Sequence, residues 1–585
     1  MSIKGRDKEF RIPKVSYLDF KHTEMDRVLT MLFPRLKYDG YGSRRPPRGK
    51  DLSIDEFLED FLDHPEWFSG FGQHPDIIRK WIETDLMDLV NRGKANQAVA
   101  APRPLHGNTY KFRNAKHTRD YGAAEHIYWM LFYARKGKGQ AARDALRRFF
   151  FPGIDLVTDR YDPSASVDVE TQAILRLDHQ VTQDMKDSKE PARFHPLCIG
   201  QADIMADDIL RLLAYEPYIP RSVLVDYLKT LLAFHLALYH LKLLQILPKL
   251  VKQRSGNDLC EIKECPINPG LDNALEGCPF RNSLVVDMGD VNNPHMAELA
   301  RKSTDRMYRQ IPAFVQANFV VKKLDEMAEY LCKKTGKLAP PASGVFSIGD
   351  LVSLLKLEHD ADRQAYFKFR LASLIEESTA GNEDVDPEIR GVTSMGLEEF
   401  ESFIEILMAY RGKYHRQYIT ECLDSLLLKN KENGLLAQPR AKGSPRRFVL
   451  GSKLLEVLLQ VAVLTQTGGR FVTREVRIEE LLAFLRNRYG LHIDRLPEGS
   501  QINSSILDKR ALRLNLEAFK RRLREIGFYE DLSDAYVTQK VSPRYAIDSR
   551  HPGRSPLRGD LRSSQSASMP NGEICNGKDK NGRHA

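Results

Sequence analysis

A chain of 585 residues, 42% hydrophobic and 29% charged, has the composition of a globular protein and the length for three or four domains. Seven cysteines, an odd number spread over that length, argue against a disulfide framework and for a reducing compartment. The net charge of +9 is modest but uneven. Residues 440–546 carry 20 Lys/Arg against 12 Asp/Glu, so +8 sits in one C-terminal segment, which predicts an acidic partner there, nucleic acid first.

The N-terminal stretch MSIKGRDKEFRIPK is charged and has no apolar core, so a cytoplasmic protein is expected. Residues 43–50, SRRPPRGK, are expected to be an exposed basic loop. Ser53 and Glu56 are spaced as a capping box, and Phe57, Leu58, Phe61 and Leu62 then recur at helical period. Ile77, Ile78, Trp81 and Ile82 mark a second amphipathic helix. Residues 117–151 are largely helical. There His126, Tyr128 and Trp129 precede the basic run Arg135–Lys138, an interleaving that suits either a single-strand-binding surface or, by preference, a core helix with a solvated face. Further helices are expected at 167–177 and 202–213.

Residues 221–247 are the most apolar in the chain. Lys229, His235, His240, Lys242 and Gln245 interrupt them, so they predict a buried central helix and no membrane contact. That helix leads into CEIKECPINPGLDNALEGCPF, residues 260–280, where Cys260, Cys265 and Cys278 are spaced C-x4-C-x12-C among prolines and glycines that forbid a helix. Together with Cys198, or with His195 in its place, they supply four ligands for a structural zinc ion. The two Cys-Pro pairs leave an iron–sulfur cluster as the alternative, and ordinary packed thiols as the bland reading.

Residues 283–290, SLVVDMGD, read as a short buried strand and an acidic turn. Asp287 and Asp290 at a strand end are also the arrangement a Mg²⁺-dependent nuclease would use, though no Glu-x-Lys follows to complete it. A long helix, kinked at Pro312, is expected over 294–332, a connector over 333–344, helices at 347–357, 361–377 and 398–429, and a linker over 432–447. No fixed-period repeat is present.

Residues 448–546 follow a winged-helix pattern. Helices are expected at 452–465 and 478–489. In the third, Leu512, Leu516, Phe519, Leu523 and Ile526 make a continuous apolar stripe, opposite Arg510, Arg513, Lys520, Arg521 and Arg524. Gly527 is expected to stop that helix, and 528–541 are expected to form the wing. Such a basic helix suits DNA phosphates. Asn515 is the one amide available for base readout. Beyond Arg550 the chain has the composition of a disordered tail.

The fold expected is mainly α, a multi-domain helical body with a C-terminal winged-helix-like domain. The divisions are 1–160, 161–340 with the cysteine loop, 341–435, 446–548 and a tail over 549–585. No phosphate loop, dinucleotide fingerprint, metalloprotease motif or nucleophile elbow occurs, which favours a binding subunit over an enzyme. Three fragments, RIPKVSYLDF at 11–20, the Cys-Pro loop to Phe280 and LEAFKRRLREIGFY at 516–529, resemble accessory proteins of bacterial anti-phage islands. The systems in question are methylation-associated defence and phosphorothioation-dependent restriction. The resemblance implies a non-catalytic component working beside a modification enzyme and a nuclease or ATPase. The expected function is therefore a DNA-binding or scaffold subunit of a defence or restriction complex, with DNA and other subunits as partners. A metal-dependent nuclease and a winged-helix transcriptional regulator are the alternatives.

Overall fold

The computed structural model describes residues 5–44, 53–162, 164–177, 185–254, 278, 280–342, 344–379, 386–441, 443–497, 505–529 and 539–547. Its N-terminal part comprises helices Met25–Lys37 (α1), Ile54–Leu62 (α2) and Pro75–Trp81 (α3), an antiparallel ribbon of Met87–Val90 (β1) and Ala98–Pro102 (β2), and helices Ala123–Tyr133 (α4) and Lys138–Phe150 (α5). Val169–Leu177 (α6), Ile199–Leu213 (α7) and Arg221–Gln253 (α8) follow, then strand Leu284–Val285 (β3) and helices Pro294–Tyr308 (α9) and Ile311–Tyr330 (α10). Next come Ile348–Ser353 (α11), Asp360–Thr379 (α12), Pro387–Thr393 (α13) and Glu399–Leu426 (α14). The C-terminal part holds Leu436–Ala437 (β4), Arg447–Phe448 (β5), Ser452–Ala462 (α15), Leu464–Thr467 (β6), Arg470–Thr473 (β7), Val476–Arg477 (β8), Ile478–Tyr489 (α16), Leu491–His492 (β9), Ile506–Glu525 (α17) and Lys540–Val541 (β10). The protein is mainly helical, as its sequence periodicities predict.

Helix α8 is the axis. It is apolar on every side, and a helix of that kind must be covered all round; α1, α7, α10, α14 and α15 do so. It is the one described helix long and apolar enough to cross a membrane, and 94% of its apolar window is buried inside the protein. Three of its polar interruptions have internal partners. Lys229 pairs with Asp26 at 3.0 Å, His235 lies 3.0 Å from Asp208, and His240 Nδ1–H donates to the Leu236 carbonyl at 2.7 Å.

The expected kink at Pro312 is a break. Arg309 and Gln310 separate α9 from α10, and Pro312 sits in the first turn of α10, where its missing N–H breaks no helical bond. The Ser53 capping box forms as expected. A tight hairpin joins β6 to β7 through Gly468-Gly469, both at positive φ, directly after α15.

The C-terminal part is built into the body. Strands β3 and β9 run parallel, pairing Leu284 with Leu491 and Val285 with His492. Gly490 ends α16 at φ +77°, and a Cβ there would strike the Asn282 carbonyl at 1.9 Å, so only glycine allows this approach. Helix α15 packs on α7 and α8, and one contiguous apolar core runs from Phe10 to Val541.

Candidate nucleic-acid face and cysteine cluster

Helix α17 begins with a second capping box: Ser505 Oγ accepts the Asp508 N–H at 3.1 Å and Asp508 Oδ2 accepts the Ser505 N–H at 2.8 Å. Leu512, Phe519 and Leu523 are buried, and Leu516 and Ile526 pack half-buried beside them, so the apolar stripe faces inward as expected. Asn515 lies on the buried side too. Its Nδ2 donates to the carbonyls of Val286 and Ile493, each at 2.9 Å, and its Oδ1 accepts the Met288 N–H at 2.9 Å. The one amide available on this helix for base readout instead fastens α17 across the β3–β9 pair. Asn293 Nδ2 adds a bond to the Ala511 carbonyl and His295 one to Asp508.

With that side fixed, the basic residues line the other. Arg510, Arg513, Arg521 and Arg524 are exposed and Lys520 is half-buried. They differ in what holds them. Arg521 pairs with Asp290, Lys520 lies 3.1 Å from Glu517, and the Arg524 guanidinium lies 5.4 Å from the Tyr529 ring centroid. Neither Arg510 nor Arg513 forms an ion pair among the described residues. Asp287 and Asp290, the candidate Mg²⁺ ligands, each cap a turn. Asp287 Oδ1 accepts the Gly289 N–H and Asp290 Oδ1 the Asn292 N–H, and each carboxylate also has an arginine beside it, Arg447 and Arg521.

Of the candidate metal ligands, Cys260 and Cys265 lie outside the described residues. Cys198, 1% exposed, precedes α7, and Cys278 is half-buried. The two are neighbours: burial raises the Cys278 thiol, Lys242 pulls it down, and Cys198 is near enough to push it up further. Lys242 on α8 is 3% exposed and forms no hydrogen bond or ion pair among the described residues. His195 is held elsewhere, its ring 3.8 Å from that of Tyr133. Among the described residues no group of three or more His, Cys, Asp or Glu is positioned to hold a metal ion.

The sequence reading missed a buried charge cluster between α7 and α16. Asp208, wholly buried, accepts from His235 Nε2 at 3.0 Å, from the Tyr489 hydroxyl at 2.7 Å and from Arg488. Asp207 takes Lys138 at 2.5 Å, Arg211 at 2.8 Å and Arg488 at 2.7 Å. Burial alone would raise the Asp208 carboxyl, but Arg488 and His235 outweigh it and hold the group well below the usual range. Arg135 pairs with Asp203 at 2.6 Å, so Arg135 and Lys138 of the 135–138 basic run are internal counter-ions. The Asp–His pair resembles a proton relay, but at 0% side-chain exposure no substrate reaches it, and it acts as a lock between helices. The available signal was three acids, Asp203, Asp207 and Asp208, on an otherwise apolar helix.

A sequence model of the family described as methylation-associated defense system protein MAD7 matches residues 5–545. The chain belongs to this family. No curated protein and no solved structure matches it. Of the two systems that the three fragments resemble, the match is to methylation-associated defence. The MAD7 family makes the chain a component of a defence system, and other components of that system its expected partners.

Proposed function

We propose that this MAD7-family chain is a DNA-contacting scaffold subunit of a methylation-associated defence complex. The exposed side of α17 meets the phosphate backbone, while the helical body holds that helix and offers surfaces to other subunits. The observation that carries the reading is the pair Arg510 and Arg513, exposed on a helix whose opposite side is fastened and without an ion pair among the described residues. A guanidinium with no carboxylate to release engages phosphate without first breaking a pair. The order α15, α16, α17 and the antiparallel β8–β10 ladder beside α16 support the winged-helix reading. Burial of Asn515 favours backbone contact over base readout. The test is the double variant Arg510→Glu with Arg513→Glu, assayed for retention of duplex DNA across a salt series. Loss of retention with an unchanged melting temperature is expected, and wild-type retention would overturn the reading.

The cysteine cluster is proposed as a zinc staple, with an iron–sulfur cluster as the alternative. Proximity of Cys198 to Cys278 favours Cys198 over His195 as the fourth ligand. The buried Lys242 ammonium beside them lacks a carboxylate among the described residues, and metal-bound thiolates would supply its counter-charge. Metal analysis of protein purified without oxygen should give about one zinc per chain. Cys198→Ser should lose it and His195→Gln keep it. Equal metal in both variants would remove Cys198 from the set.

A further inference from the structure

The β1–β2 ribbon is rooted in the core and ends in solvent. At its base Met87, Val99, Ala100 and Ala101 are buried. Beyond the register shift between Asp88 and Leu89 exposure rises, and all seven residues of the connecting tip, 91–97, are exposed. The tip is ordered by its own bonds. The Lys94 N–H donates to the Asn91 carbonyl at 2.9 Å and the Gln97 N–H to that of Lys94 at 3.0 Å. Gln97 Oε1 accepts the Gly93 N–H at 2.8 Å, and Asn91 Nδ2 donates to the Asn96 carbonyl at 3.3 Å.

The tip reads NRGKANQ: two cations, three amides and no acid. The acids just before it are engaged elsewhere. Glu83 lies 3.6 Å from Arg79, Asp85 accepts the Thr84 hydroxyl at 2.6 Å, and Asp88 lies 3.5 Å from Arg27. The Arg92 guanidinium donates to the Glu83 carbonyl at 2.8 Å, a bond that holds it without neutralising it. The side chains of Lys94 and Asn96 form no hydrogen bond or ion pair among the described residues. With Ala95 as its one apolar side chain, the tip has no anchor for a protein or a lipid surface. It suits a surface that offers phosphates and base edges together. The major groove of B-form DNA, about 12 Å wide, admits a two-stranded ribbon, whereas the minor groove is about 6 Å wide. The major groove of A-form RNA is too narrow for side chains to read.

We propose that the β1–β2 ribbon is a second DNA-contacting element, its tip in the major groove of a duplex, with Arg92 and Lys94 on phosphates and the Asn96 amide on a base edge. The ribbon uses no residue of α17 and does not depend on the reading of that helix. It gives the N-terminal part of the chain a share in DNA binding that the charge of the C-terminal segment does not account for.

The experiment measures binding of duplex DNA by the full-length chain across a salt series. Three proteins are compared: wild type, Arg92→Gln with Lys94→Gln, and Lys334→Gln with Lys356→Gln. The last pair removes two exposed cations elsewhere that likewise have no ion pair among the described residues. Each phosphate contact contributes about 0.9 to the slope of log K against log salt, so the ribbon variant should bind more weakly with a slope shallower by about 2. The control pair should keep the wild-type slope. Asn96→Ala should also keep it while affinity falls about tenfold. All these positions are exposed, so melting temperatures should not change. A wild-type slope in the ribbon variant, an equal loss in the control pair, full affinity of Asn96→Ala, or equal binding of duplex RNA would each overturn the proposal. Arg510→Glu with Arg513→Glu separates the two readings. Loss there beside an unaltered ribbon variant removes the ribbon alone, loss in the ribbon variant alone removes α17, and a wild type that binds no duplex removes both.

Discussion

His240 and His106 are buried as neutral rings, each with both nitrogens engaged. His240 bonds the Leu236 carbonyl and Ser16, and His106 bonds the Pro152 carbonyl and accepts the Asn108 N–H. Burial, the first cause in both, lowers His240 to about 4 and His106 to about 3, from 6.5. A lowered folded-state value means that the unfolded chain binds the proton first. The stabilisation is complete above pH 6.5 and is lost as pH falls toward 4, at about 1.4 kcal/mol per pH unit for each ring. Urea midpoints measured from pH 7 to pH 5 should fall, and His240→Gln should flatten the slope; a pH-independent midpoint would contradict this. Asn515 gives a second expectation. Asn515→Ala would strand two carbonyls and one N–H in the core, costing about 2–4 kcal/mol by chemical denaturation. Nothing in the sequence marked the partners of Asn515, because Val286, Met288 and Ile493, just past β3 and β9, are brought there by tertiary pairing. The heptad-like stripe of its own helix was legible, and had position 515 been scored by that stripe it would have fallen on the buried side.

Among elements, the amphipathic helices were the most readable, since a 3.6-residue period is a local property. The Gly468-Gly469 hairpin was missed, its first two residues having been taken into the end of a helix expected over 452–465, although a short β-prone run before a Gly-Gly pair is a hairpin signature. The lock between α7 and α16 could not be read, since Arg488 meets Asp207 and Asp208 from about 280 residues away. Its energetics are nonetheless predictable. Arg488→Met would leave two buried carboxylates short of their shared cation, and removal of one partner from a buried pair costs about 3–5 kcal/mol. Amide exchange should then quicken first in α16 and α7. Unchanged exchange there would show that Lys138 and Arg211 suffice to hold the acids.

At the scale of the whole molecule, the core does not divide at residue 446. Helix α15 covers α7 and α8, the Tyr215 hydroxyl donates to the Gln460 carbonyl at 3.0 Å, and Arg211 to that of Leu464 at 2.6 Å. A fragment ending at residue 445 would expose those apolar faces and strip Asp207 and Asp208 of Arg488. It is expected to bind hydrophobic dyes and to unfold without a sharp transition, whereas a cooperative, dye-silent fragment would show that the body is self-sufficient.

The parallel pairing of β3 with β9 also has a temporal side. Leu284 and Leu491 are roughly 200 residues apart, and at about 5–20 residues per second the ribosome needs roughly 10–40 s to deliver the second after the first. Throughout that interval the edge of β3 and the faces meant for α15 stay uncovered on the nascent chain. A product terminated before residue 491 lacks the strand that pairs with β3, so its centre stays open.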